Sequence, residues 1–525
     1  MSDDPQRAAM PRVPTRERCA DERTRPLVVQ RAAWLFAIGA VLGARRASAT
    51  DGEVMSDAVA QMYDVRSPTG EVVLERRRLD TTLGINAYDL THASPADATA
   101  PLISFRARLR YSADFGLNAA TFDPSQTNDF VPGRQAGAVD VMFAYVEGRR
   151  LLGGPLGFRF GRQYVTDVLG WWSFDGLELN ATTPIFFRAQ VYGGFEQRGG
   201  LALGTSHFES DGVWRGSRDG LPSGLYPTFQ AASPAPAIGV AIESIGLPWL
   251  HARLTARHVY DTGASDVAVY GAAPNAPATV DGMRTSSDRL GGSFNATWSN
   301  VAAAQSGFVY DVYLGQVTHV YGALEGRPHP RMNVGVDYDY YVPSFDADSI
   351  WNFFAAEPRN DIGLRADSSP SEHLAFAGSA KVRVFTVPAL QPGLGDAYER
   401  AGAAPTNGHP FDEAVSASAR WHGGATAVGF RAAGDFGAEG DRVGGDADAE
   451  RVFETRTIVR GRLGLWHWDD RLRPGRSALS LGCVAGIGYK FAPRSQGMVE
   501  WEQDMNRLVG QRFRVVFSLT VTTGP

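Results

Sequence analysis

Residues 104–111 read SFRARLRY, and Arg106, Arg108 and Arg110 recur at every second position. In an extended chain that spacing puts three guanidinium groups on one face, with Phe105, Ala107, Leu109 and Tyr111 on the other. Such a row has no nucleophile and no general base. What it offers is a fixed field for ions and polar solutes. The same alternation places Arg159, Arg188, Arg253, Arg257, Arg289, Arg383, Arg460, Arg512 and Arg514 on polar faces, joined by Lys381, Arg456 and Arg462. Acids on the corresponding faces are Glu178, Glu196, Asp311, Asp337, Asp339, Glu500 and Glu502. The pattern predicts that these residues line a water-filled pore. The bases fall early and late in the chain, so a closed sheet would gather them on one wall, across from Asp311, Asp337 and Asp339.

Other chemistries lack their residues. The chain holds 525 residues and only two cysteines, Cys19 and Cys483. That excludes a disulfide scaffold and a four-cysteine zinc site. His-Glu-x-x-His, Cys-x-x-Cys-His and Gly-x-Ser-x-Gly are absent, and residues 482–490 (GCVAGIGYK) lack phosphate-loop spacing. No cofactor, metal or enzymatic activity is expected. With 51 basic and 57 acidic residues and a net charge of −6, nothing points to nucleic acid.

The elements that must carry the charged rows are strands. In 331–342, Met332, Val334, Val336, Tyr338, Tyr340 and Val342 oppose Asn333, Asp337 and Asp339. In 512–521, Phe513, Val515, Phe517, Leu519 and Val521 oppose Arg512, Arg514, Ser518 and Thr520. Runs of about ten residues, apolar on one face and ending in Tyr or Trp, predict strands that cross a bilayer. Soluble sandwiches have shorter strands, and no fixed repeat marks a solenoid or propeller.

Period-two segments number nineteen: 79–90, 102–112, 137–147, 156–163, 171–181, 185–196, 237–244, 249–260, 288–298, 306–315, 331–342, 360–367, 373–387, 412–421, 424–433, 452–468, 477–490, 496–505 and 509–521. Bacterial single-chain barrels have even numbers, so the expectation is an all-β, single antiparallel transmembrane β-barrel of about 18 strands, between 16 and 20. Long connections are expected at 113–136, 197–236, 261–287, 388–411 and 434–451, the last an acidic surface loop. Residues 343–358 are expected to be a packed loop rather than a plugging helix.

Residues 1–49 read as a signal peptide. An apolar run from Ala32 to Leu42 is too short to span a bilayer as a helix, and Ala47-Ser48-Ala49 offers small residues before a cut at Thr50. Nine arginines against five acids give this leader a charge of +4, so the remainder carries −10. Residues 50–78 are expected to form an N-terminal periplasmic or inward-folded segment, and 79–525 the barrel.

Leader, alternating strands and β-rich C-terminus together resemble a bacterial outer-membrane barrel of porin type. The hairpin LGFRFGRQ (156–163) with WWSFDGLEL (171–179) weakly resembles the Gly-Arg-Gln and Phe-Asp-Gly hairpins of alginate-export-like specific porins. One departure is the ending Thr-Val-Thr-Thr-Gly-Pro, with Phe517 the last aromatic, where such barrels usually end in an aromatic residue. The resemblance implies a channel in the bacterial outer membrane, in contact with its lipid, for passive diffusion of small polar solutes, anionic ones among them. It permits a homo-oligomer. The competing reading is a scaffold barrel that houses a partner protein.

Overall fold

The computed structural model describes residues 52–70, 72–91, 97, 99–114, 138–197, 235–262, 283–344, 358–385, 411–437, 440–470, 475, 477–507 and 510–523. The leader at 1–49, residues 345–357 and most of the long connections lie outside the described residues.

Twenty-two strands follow one another: β1 (Gly52–Arg66), β2 (Val72–Ala87), β3 (Leu102–Asp114), β4 (Ala138–Leu151), β5 (Leu156–Asp167), β6 (Gly170–Thr182), β7 (Phe187–Glu196), β8 (Pro236–Ser244), β9 (Leu250–Asp261), β10 (Arg284–Trp298) and β11 (Ala302–Asp311). The second half runs β12 (Gln316–His329), β13 (Met332–Tyr341), β14 (Arg359–Ser371), β15 (Leu374–Phe385), β16 (Phe411–Gly423), β17 (Thr426–Gly437), β18 (Gly440–Val452), β19 (Thr457–Asp470), β20 (Ala478–Ala492), β21 (Ser495–Asn506) and β22 (Gly510–Thr523). Each strand pairs antiparallel with the next. β1 pairs with β22 from Val54↔Thr523 to Arg66↔Gln511, which closes the sheet without a free edge. The fold is a single closed antiparallel barrel.

The strand number corrects the expected 18. All nineteen period-two segments are strands, and three more were hidden. Residues 52–66 form β1 and 72–87 form β2, so the described part of the expected N-terminal segment belongs to the barrel wall. β12 follows β11 after a short turn. The expected acidic loop at 434–451 is the end of β17 and most of β18. With these strands in place the connections sort cleanly. The long ones, at 115–137, 197–235, 262–283, 342–358 and 386–410, all follow odd-numbered strands. Even-numbered strands are followed by tight turns, apart from 88–101. Outer-membrane barrels put long loops outside and tight turns on the periplasmic side, so the start of β1 and the end of β22 lie at the periplasmic end.

One face of the sheet is apolar and the other ionic. Leu177, Leu179, Val191, Ile238, Ile242, Leu254, Leu324, Ile362, Leu364, Phe430, Leu463 and Ile487 stand exposed on one side. On the other, ion pairs reach over intervening strands: Arg108 of β3 meets Asp57 of β1 across β2, at 2.7 Å. Side chains that bridge over a neighbour converge, so the ionic face is the concave one and the apolar face looks outward. A twelve-residue strand tilted by about 40° rises roughly 30 Å, enough for a bilayer core. Exposed apolar side chains at that height need hydrocarbon around them. The architecture is that of an outer-membrane β-barrel. At standard strand spacing and tilt, twenty-two strands in a round section enclose a lumen about 40 Å across between backbones.

Candidate functional site: a charged lumen and an inward hairpin

Most of the arginines expected in the pore are held by acids on the same wall. Arg159 lies between Glu147 and Glu178, 3.4 Å from each. Arg188 and Arg253 share Glu243, at 3.0 and 2.8 Å, and Arg253 also donates to Gln190 Oε1 at 2.6 Å. Arg289 is 3.6 Å from Asp311 on the adjacent strand. Arg383 and Lys381 both hold the buried Asp361, at 3.1 and 2.8 Å. Asp339 meets His319 Nε2 at 3.0 Å, and Asp337 stands opposite Gly363 in the register. Arg106 lies over the Tyr88 ring at 5.6 Å, and Arg110 is opposite Thr82. Arg456 is in the turn after β18, not on a strand.

The expected division into a basic wall facing Asp311, Asp337 and Asp339 does not occur. Asp311 pairs beside Arg289 instead of across the lumen from it. The acids that do the pairing were mostly unseen in the sequence. Asp57 and Asp446 sit on β1 and β18, strands without a clear apolar face. Glu147 and Glu243 do sit on the lumen parity of β4 and β8, so parity alone could have found them.

The wall from β18 to β22 shows the pairing in stripes. β18 presents Asp446, Asp448 and Glu450, and β19 presents Arg460 and Arg462. β20 presents Gly482, Val484 and Gly486, β21 presents Glu500, Glu502 and Asp504, and β22 presents Arg512 and Arg514. Arg460 Nε donates to Glu500 Oε1 at 2.7 Å, reaching over β20. A Cβ at Gly486 would sit 3.0 Å from Arg460 Cγ and 3.1 Å from Glu500 Cγ, so glycine leaves the slot in which this pair lies. Arg512 donates to Glu502 at 2.6 Å and to Asp504 at 2.8 Å; Arg514 donates to Glu502 at 2.8 Å; Arg462 meets Asp446 at 3.0 Å. These stripes border a recess of about 1070 Å³.

The other side of the lumen is built differently. β4 and β5 pair only as far as Ala144↔Arg162, although both strands continue. β6 and β7 pair as far as Phe174↔Glu196. Beyond these points the hairpin from Gln163 to Ser173 pairs with itself, down to Asp167↔Gly170. Three glycines mark the crease, paired in register as Gly161↔Gly176↔Gly194. Gly161 has φ +127°, and a Cβ there would sit 2.3 Å from the Ala144 carbonyl oxygen. A Cβ at Gly176 would sit 2.1 Å from the Gly193 oxygen. Only glycine permits backbones this close.

The hairpin tip reaches strands four and five places away, which it can do only through the interior. Thr255 of β9 donates to Asp167 Oδ2 at 2.9 Å, and Asp167 Oδ1 accepts the Leu169 N–H at 2.9 Å. Arg253 lies 4.0 Å from the same carboxylate, whose side chain is fully buried. Arg257 donates Nη2 to the Leu169 carbonyl at 3.3 Å and lies 5.1 Å over the Trp172 ring. Val168 and Leu169 press on Gly291 of β10. Beneath the tip, Val165, Trp172, Phe174, Tyr192, Ala235, Ala237 and Val259 form an apolar core inside the barrel. Trp172 stacks on Phe174 at 4.5 Å and donates Nε1 to Glu196 at 2.8 Å. Under the hairpin, on the periplasmic side, Glu147, Arg159, Glu178, Arg188, Glu243 and Arg253 border a second recess of about 630 Å³. Among the described residues no group of His, Cys, Asp and Glu is arranged to hold a metal ion.

No family model matches the chain. No curated protein matches it either. Solved structures similar to it include OccAB4 of Acinetobacter baumannii, at 8% identity and TM-score 0.41, covering 90% of this chain and 98% of that one. The outer membrane protein OpdK of Pseudomonas aeruginosa aligns at 10% identity and TM-score 0.39, covering 90% and 99%. The translocation pore of the P pilus usher PapC aligns at 8% identity and TM-score 0.42, covering 90% and 100%.

Proposed function

We propose that this chain is an outer-membrane channel through which small polar solutes diffuse passively, narrowed on one side by the inward hairpin. The observation that carries the reading is the ionic concave face of a closed barrel whose convex face is apolar. Water-loving groups in such numbers are stable inside a bilayer only around an aqueous lumen. The reading assigns no catalysis to the chain.

Selectivity follows from the pairing. A guanidinium bonded to a carboxylate contributes a dipole, whose field falls faster than that of a free charge and is screened within about 8 Å at physiological salt. Arg106, which lies over the Tyr88 ring and bonds no carboxylate among the described residues, biases the lumen modestly toward anions. Planar-bilayer recording tests both parts. Stable conductance steps with a small anion-directed reversal potential in a salt gradient are expected. No steps would sink the channel, and cation preference would sink the anion bias. The lumen width supports a second reading, a scaffold around a partner protein; purification with a stoichiometric partner that abolishes conductance would favour it.

A further inference from the structure

Among the described residues, the β4–β5 junction is the only place where two neighbouring strands both continue and yet do not pair. β4 runs on through residues 138–143 beside β3, while β5 turns inward over residues 163–167. The wall is therefore split on the extracellular side of Ala144↔Arg162. An unpaired strand edge in contact with hydrocarbon is costly, because each unmet backbone group loses its hydrogen bond. Among the described residues this slit is only partly sealed. Arg162 donates Nη1 to the Val141 carbonyl at 3.0 Å, and its other nitrogens hold Asp175 at 2.8 and 2.9 Å. The lips are aromatic: Phe143 and Tyr164 have ring centroids 5.8 Å apart, and Tyr164 and Trp171 6.3 Å apart. Tyr164 and Trp171 are 36% and 40% exposed, and Phe160, exposed on the same face of β5, continues the aromatic track.

We propose that this slit is a lateral port between the lumen and the outer leaflet, and that it passes small aromatic amphiphiles. Rings would stack along Phe143, Tyr164 and Trp171, while the polar end meets the Arg162–Asp175 pair. The proposal rests on the channel reading, because the port needs a lumen to open into. Ring contacts favour aromatic over aliphatic solutes, and Arg162 at the base suits a polar or anionic end.

The test closes the slit reversibly. Phe143→Cys and Tyr164→Cys are combined in a Cys483→Ser background, which removes the one cysteine among the described residues. The protein is reconstituted in liposomes, and uptake of naphthalenesulfonate and arabinose is measured with the pair oxidised and reduced. Oxidation bridges the two lips of the slit and is expected to cut naphthalenesulfonate uptake by about tenfold, a difference of about 1.4 kcal/mol in the barrier to passage. Arabinose uptake is expected to stay unchanged, and reduction to restore the aromatic probe. If naphthalenesulfonate uptake is insensitive to oxidation, or if both probes fall together, the port is wrong. Absence of arabinose uptake in every state would instead defeat the channel. A second measurement does not need the cross-link. A fluorophore on Tyr164→Cys in the same background is expected to be quenched both by aqueous iodide and by brominated acyl chains. Quenching by iodide alone overturns the port.

Discussion

The two sides of the lumen use one alternating code and end in different structures. From β18 to β22 every ladder runs the length of the shared strands, and the inward charges lie flat against the wall in acid and base stripes. From β5 to β10 a row of glycines creases the sheet, a hairpin leaves the wall, and charges are buried against an apolar core. On the first side the arginines face water, more than a third exposed, while their carboxylates are more buried. On the second side Glu178 and Asp167 are almost wholly buried. The difference predicts that mutating charges should change selectivity on one side and stability on the other.

The largest expected effect is at the crease. Gly176→Val places a branched side chain against the Gly193 carbonyl at a point where backbone cannot yield. Strain of this kind costs about 3 kcal/mol. Heat-modifiable mobility on gels should show loss of the folded barrel. A folded variant with unchanged conductance would mean that the crease does not position the hairpin.

Next is the ion pair of the buried Glu178 carboxylate. Glu178→Gln leaves Arg159 with Glu147 alone, and breaking a buried pair costs about 3 kcal/mol. The matched change on the other side, Glu502→Gln, frees Arg514 and leaves Arg512 with Asp504, and should cost under about 1 kcal/mol because both arginines are more than a third exposed. Removing a negative charge from the lumen should move the reversal potential toward anions for Glu502→Gln. Measured together, unfolding midpoint and reversal potential must separate the two variants. If both shift selectivity alike and stability alike, the two-sided description fails.

What could be read from the chain followed from how strongly each strand separates its faces. All nineteen segments with large apolar residues on one parity are strands. The three hidden ones lack that contrast. β18, GDRVGGDADAERV, has a convex face of Val443, Gly445, Ala447 and Ala449, residues that also make loops, so its acids read as a surface. β1 has Ser56, Ala58 and Ala60 facing outward and Met55 and Val59 facing inward, which blurs the alternation. Four residues, 312–315, separate β12 from β11, with no Pro or Asn to mark the turn. Losing β1 and β18 also lost Asp57 and Asp446, and with them the view that the arginines are paired. The hairpin was invisible for another reason. Residues 156–181 look like ordinary wall, and only the register shows that Gly161, Gly176 and Gly194 fall in one row.

The contacts of Asp167 at the hairpin tip offer a smaller effect. Asp167→Ala removes the acceptor of Thr255 Oγ1 and of the Leu169 N–H and leaves Arg253 without that carboxylate. Leaving such groups unmet costs about 1–3 kcal/mol. The core of Trp172, Phe174 and Tyr192 should still hold the base of the hairpin, so folding is expected to survive while single-channel traces gain noise and larger openings. Quiet traces at wild-type conductance would mean that the core alone fixes the tip.

The smallest effect is expected at Gly486, beneath the Arg460–Glu500 pair. Gly486→Ser adds a Cβ near Arg460 Cγ and Glu500 Cγ, both on flexible side chains that can swing into the lumen. The backbone there is not in the left-handed region, so no strain is added. Stability should change by less than about 0.5 kcal/mol. The pair would be lifted off the wall without being broken, so conductance should fall slightly while the reversal potential stays where it was. The same single added atom group at Gly176 meets backbone and should not be tolerated. That contrast isolates what these two glycines do: Gly176 lets main chains touch, and Gly486 makes room for a salt bridge.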